Sequence, residues 1–66
     1  MNGKIARIVA EKNFGFITGT DGVDYFFHKS ALINESSFDK HLEKRSVTFE
    51  AGEATKGPRA ESVYVD

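Results

Sequence analysis

Sixty-six residues allow one domain, 1–66, and a domain of this size buries only about 60% of the surface of its unfolded chain, so its core must be compact. With no cysteine, disulfides and thiolate metal sites are excluded. No stretch has the apolar length of a membrane span and Met1 is not followed by a signal-peptide hydrophobic region, so a soluble, cytoplasmic protein is expected. Nine Lys and Arg against ten Asp and Glu leave a net charge of −1. That counts against tight duplex binding, which draws on excess positive charge, but not against single-strand binding, where stacking supplies roughly 1–3 kcal/mol per base.

Lys4 to Ala10 reads as a first strand, rich in Ile and Val. Its apolar residues fall on both parities, Ile5 and Val9 against Ala6, Ile8 and Ala10, so the strand is either covered on both faces or bent. Glu11-Lys12-Asn13 turns the chain into a second strand, and Asn tolerates the left-handed backbone such a turn can require. In that strand Phe14 and Phe16 share one face while Gly15 and Ile17 share the other. The turn sequence Thr18 to Val23 separates it from Asp24-Tyr25-Phe26-Phe27-His28, where Asp24, Phe26 and His28 fall on one face and Tyr25 and Phe27 on the other. If Asp21-Gly22 helps close a hairpin, Phe14, Phe16, Phe26 and His28 lie together on one side, with Ile17, Tyr25 and Phe27 behind them. One side is then a core. The other is a surface suited to flat, apolar, hydrogen-bonding partners, which unstacked nucleobases are.

After His28 the alternation stops, and Lys29 to Ile33 reads as a helical or 3₁₀ turn with Leu32 or Ile33 closing the barrel bottom. Asn34 to Arg45 is polar and charged around Phe38; a phenylalanine in such a loop either folds back to cap the core or carries function. Ser46 to Ala51 alternates, Val47, Phe49 and Ala51 inward and Thr48 and Glu50 outward. Gly52 to Pro58 reads as a loop, and Ala60 to Val65 as the last strand, with Val63 and Val65 on one side and Tyr64 on the other. Five strands with a long third connection predict an all-β protein, a five-stranded antiparallel OB-type barrel, a fold that takes oligonucleotides on strands 2 and 3 and the adjoining loops.

The aromatic runs also carry a family resemblance. Lys12-Asn13-Phe14-Gly15-Phe16-Ile17 resembles the first nucleic-acid-binding motif of bacterial cold-shock proteins, Lys-Gly-Phe-Gly-Phe-Ile, with Asn13 in place of Gly. Phe26-Phe27-His28-Lys29-Ser30-Ala31-Leu32 resembles the second, Phe-Val-His-x-Ser-Ala-Ile, and the similarity extends from Gly3-Lys4 to Val63. It implies a cold-shock-like OB-fold domain that binds single-stranded RNA or DNA, with Phe38 at the position of a loop phenylalanine that stacks on a base. The chain departs from the pattern where Arg7, Ile8 and Val9 replace the usual Trp-Phe-Asn, the Trp being a stacking platform, and where Lys29 replaces a further aromatic. A guanidinium plane can stack on a base, and an arginine can equally be a plain surface residue of a strand, so both readings of Arg7 stay open.

The expected interface is therefore Phe14, Phe16, Phe26, His28 and Phe38 as stacking groups, with Asp24 placed to accept from a base amino group. Lys4, Lys12, Lys29, Lys56 and Arg59 are the candidate phosphate contacts, and Arg7 completes the set. His28 lacks a nucleophile or carboxylate partner in any readable motif, and neither paired carboxylates nor metal-spaced histidines appear, so no catalysis, metal, cofactor or small-molecule substrate is expected. The expected function is single-stranded nucleic-acid binding of low sequence specificity by a monomer; the resemblance adds a role as an RNA chaperone in cold stress or growth adaptation. The competing reading is a protein-interaction module that uses the same aromatic surface as a hot spot.

Overall fold

The first strand, β1 (Asn2–Val9), begins two residues earlier than its Ile and Val content suggests and ends in a 3₁₀ turn, Ala10–Lys12. Its mixed parity has a local cause. Ile5 pairs with Ile17 and Arg7 with Phe16, so Ala6 is an extra residue, a β-bulge. The strand bends there, Ala6 and Arg7 both face solvent, and Ile5 and Ile8 both enter the core. Asn13 takes up the left-handed conformation, φ 60°, at the entry to the second strand.

That strand, β2 (Phe14–Gly19), and the next, β3 (Asp24–His28), form the expected antiparallel hairpin with Phe14 opposite His28, Phe16 opposite Phe26 and Ile17 opposite Tyr25. The connecting turn is held by Gly19 N–H to Val23 O (2.9 Å) and by the Asp21 carboxylate, which accepts from Val23 N–H (3.0 Å) and from the Tyr25 hydroxyl (2.6 Å). A 3₁₀ turn, Lys29–Ala31, follows; Leu32 is half-buried against the core and bridges to Val63, whereas Ile33 stays exposed. A further 3₁₀ turn, Lys40–Leu42, leads into β4 (Ser46–Ala54) and then β5 (Gly57–Val65). The computed structural model describes residues 1–35, 37–54 and 57–66.

The five strands form a closed barrel in the order β1-β2-β3-β5-β4. Neighbours are antiparallel except at the closing β3–β5 contact, where Phe26 pairs with Arg59 in parallel. The core is filled by Phe27, Phe49, Ile17, Ile5 and Ile8, with Tyr25 stacked at a tilt on Phe49 (centroids 5.1 Å apart). Gly15 lies over Phe27, and a Cβ there would come within 2.7 Å of the Arg7 carbonyl oxygen and 2.9 Å of Phe27 Cε1. Only glycine lets β1 approach β2 so closely at that point.

Two expectations change, and two features are added to them. The stretch Gly52 to Pro58 is not a long loop, because β4 runs to Ala54 and β5 starts at Gly57. Ala51 does pair with buried Ala60, but it is exposed: β1 accompanies β4 only as far as the Met1–Phe49 hydrogen bonds, and the β4–β5 hairpin runs on past the barrel. Within β5, Ser62 is a second bulge residue, φ 50°, which is why Ala60 and Val63, three positions apart, are both buried. Leu42, passed over in the polar stretch, is fully buried, carried inward by the 3₁₀ turn whose start is capped by Asp39 accepting from His41 N–H (3.0 Å).

Candidate nucleic-acid interface

Because side chains of paired residues share a face, the register places the outward groups of β1, β2, β3 and β5 in transverse rows. The central row is Arg7, Phe16, Phe26 and Arg59, one residue from each strand. On one side lies Val9, Phe14 and His28; on the other, Lys4, Thr18 and Asp24. Phe14, Phe16 and Phe26 form a three-ring cluster, with centroids 5.8 Å apart for Phe14–Phe16, 5.3 Å for Phe14–Phe26 and 6.0 Å for Phe16–Phe26. The rings meet edge-on or tilted rather than stacked on one another, and Phe14 and Phe16 stay half-buried. Phe26 is 36% exposed, and the space beneath the cluster is already occupied by Ile17, Tyr25 and Phe27.

His28 ends β3 and turns its ring back over its own chain: Nδ1 accepts from Ser30 N–H (3.1 Å) and lies 3.0 Å from Ser30 Oγ. A nitrogen that accepts a backbone N–H carries no proton, so the neutral imidazole has its hydrogen on Nε2. That N–H is available as a donor beside Phe14. Asp24 accepts from Thr18 Oγ1 (2.8 Å), which orients the carboxylate at the opposite margin. Lys29 N–H donates to Asn13 O (2.8 Å), tying the turn that carries Lys12 to the start of the turn that carries Lys29, so both exposed lysines sit at the Phe14–His28 end. Arg59 lies 3.8 Å from Glu61 in an exposed ion pair, a contact that contributes little to stability.

Phe38 does not join this cluster. It is half-buried and packs edge-on against Phe27 at 5.9 Å, so its ring caps the core. Lys56 lies outside the described residues. Val9 and Thr18 lie in the same outward rows and Ser30 holds the His28 ring; they are not singled out from the sequence, although the alternation that marks Phe14 and Phe16 also marks Thr18. Among the described residues no group of three or more His, Asp or Glu is placed to hold a metal ion, and no helix is long and apolar enough to cross a membrane.

The 'Cold-shock' DNA-binding domain model matches residues 1–65. This chain belongs to the cold-shock domain family. It is 42% identical over 62 residues to cold shock protein 2 of Lactiplantibacillus plantarum, covering 94% of this chain and 92% of that one. Over 65 residues it is 42% identical to a cold shock-like protein of Thermotoga maritima, covering 98% and 97% respectively. The cold shock-like protein CspC of Bacillus cereus is 38% identical over 63 residues, covering 96% and 95%. Within the cold-shock domain the aromatic cluster is thus the outer face of β2 and β3, and Arg7 and Lys29 are both exposed at its edges.

Proposed function

We propose that this cold-shock domain binds single-stranded RNA or DNA by stacking bases on Phe14, Phe16 and Phe26, with the His28 Nε2–H donating to base or phosphate at one end and the Asp24 carboxylate accepting from a base amino group at the other. One observation carries the reading: three phenylalanines cluster on a solvent face whose reverse side already holds a complete aromatic and aliphatic core. Apolar rings held at a surface and ringed by Lys4, Arg7, Lys12, Lys29 and Arg59 suit a ligand with flat π-faces and a negative backbone. The site needs no cofactor and performs no bond chemistry. By binding only open strands, the protein shifts weakly paired RNA toward the unpaired state through mass action, which is the activity of an RNA chaperone.

Titration of short single-stranded oligonucleotides, followed through the backbone amides of β2 and β3, tests this. Saturable shifts confined to the Phe14–His28 face are expected, with much weaker binding of the corresponding duplex, whose stacked bases cannot reach the rings and whose phosphates find no net positive charge. No shift with any oligonucleotide, or equal affinity for duplex, overturns the stacking reading and leaves the same patch as a protein-docking surface.

A further inference from the structure

We infer that Arg7 makes this interface selective for guanine at the base that stacks on Phe16. The inference rests on the single-strand reading above and goes beyond it, since stacking alone accepts any base.

Arg7 faces the interface because Ala6 is a bulge; strict alternation from Ile5 would turn Arg7 inward. Its Cα partner is Phe16, and directly opposed residues of an antiparallel pair have Cα atoms only about 4.5–5.5 Å apart. A guanidinium on three methylenes therefore reaches the rim of a base lying on the Phe16 ring. Among the described residues Arg7 forms no ion pair and its side chain makes no hydrogen bond. The acidic residues bordering the adjoining groove are Glu11 and Glu43, and Glu43 is already engaged, its Oε2 accepting from Ile8 N–H at 3.0 Å. Arg59, at the other end of the row, is instead drawn toward Glu61. The β1 end of the row thus holds an uncommitted fork of parallel N–H donors.

Guanine presents O6 and N7 side by side, the pair of acceptors that a guanidinium fork matches in a bidentate contact. Adenine offers N7 next to an amino donor, and thymine and uracil alternate acceptor with donor, so each forfeits one of the two bonds. Cytosine has adjacent acceptors at N3 and O2, but O2 lies beside its own sugar and its single ring covers less of the phenyl face.

The test uses the full chain and fluorescently labelled thymidylate oligomers that carry one central guanine, 7-deazaguanine, adenine or cytosine. Guanine is expected to bind about fivefold more tightly than adenine, the lower end of what a bidentate arginine–guanine contact supplies. Replacing N7 by carbon should return the affinity to the adenine level. In Arg7→Gln the guanine-to-adenine ratio should fall below about twofold, whatever the change in absolute affinity, because an amide, with one donor and one acceptor side by side, matches N6 and N7 of adenine rather than O6 and N7 of guanine. Equal affinity for all four bases, a guanine preference that survives in 7-deazaguanine, or one that survives in Arg7→Gln overturns the inference while leaving stacking intact. Failure of every oligomer to bind overturns stacking and this inference together.

Discussion

Arg7 stands directly across from Phe16 on the outer face of the barrel, next to a single extra residue, Ala6, at which β1 bends. Deleting Ala6 leaves Ile5 followed directly by Arg7 and Ile8, so regular alternation keeps Ile5 and Ile8 inward and the guanidinium outward, and the strand loses only its bend. The expected outcome is a chain that still unfolds cooperatively in urea, at a midpoint lowered only by loss of the bend, whereas Ala6→Ser, at an exposed position, keeps its midpoint.

Phe16 and Phe27 lie on opposite faces of one hairpin and should fail in opposite assays. Phe16→Ala is expected to weaken single-strand binding by about 1–3 kcal/mol and leave the fold in place. Phe27, fully buried, should lose about 3–5 kcal/mol of stability on truncation to alanine, enough to unfold a domain of this size. Thermal melts and oligonucleotide titrations on both variants check this, and exchanged effects would mean that the faces are misassigned.

The left-handed backbone at Asn13, φ 60° and ψ 35°, sets the entry to β2. Asn13→Gly should shift stability by less than about 1 kcal/mol, because glycine accepts that conformation and gives up only unfolded-state entropy. Asn13→Val should lose about 1–2 kcal/mol or more, since a β-branched side chain is strained there. Chemical denaturation of the pair distinguishes backbone strain from loss of side-chain contacts, which both variants share.

The hydrogen bond from the Tyr25 hydroxyl to Asp21 makes stability depend on pH at both extremes. It holds the Asp21 carboxyl below its ordinary 3.8, helped by the Val23 N–H, and it raises the Tyr25 phenol above 10.0, helped by burial. A carboxyl lowered on folding stabilises above the unfolded-chain value and loses that contribution as pH falls through the lowered one. A phenol raised on folding stabilises below the unfolded-chain value and loses that contribution as pH rises through the raised one. The stability difference between wild type and Tyr25→Phe should therefore be flat from about pH 5 to 9 and shrink at both ends. Urea midpoints across pH measure it, and a difference that stays constant into acid would show that the bond does not couple to Asp21.

Lys29 is exposed at the Phe14–His28 end of the aromatic cluster. If it contacts phosphate, Lys29→Phe should lower the log-log salt slope of single-strand binding by about 0.7, the contribution of one contact. Binding at high salt should tighten at the same time, because a new ring adds a term that salt does not screen. An unchanged slope in a salt series with one oligonucleotide would place Lys29 outside the phosphate path.

The faces of the β2–β3 hairpin were legible in the sequence because alternation along a strand is a local property, and Phe14, Gly15, Phe16 and Ile17 declare it within four residues. The same holds for the turn at Asn13, whereas apolar residues on both parities of β1 leave a strand covered on both faces and a bent one equally open until its register is known. The tertiary structure decided everything that depends on which distant strands meet and where an extra residue sits. The bulges at Ala6 and Ser62 reset alternation, so the outward aim of Arg7 and the burial of Val63 alongside Ala60 follow from register against β2 and β4 rather than from spacing. Phe38 turns in against Phe27, and Leu42 into the core, because the closed barrel offers apolar space that no nearby residue in the chain foretells. Local alternation could assign each side chain to one of two faces, but only the closure of β3 against β5, with Phe26 beside Arg59, brings four strands into the single row on which the proposed base contacts depend.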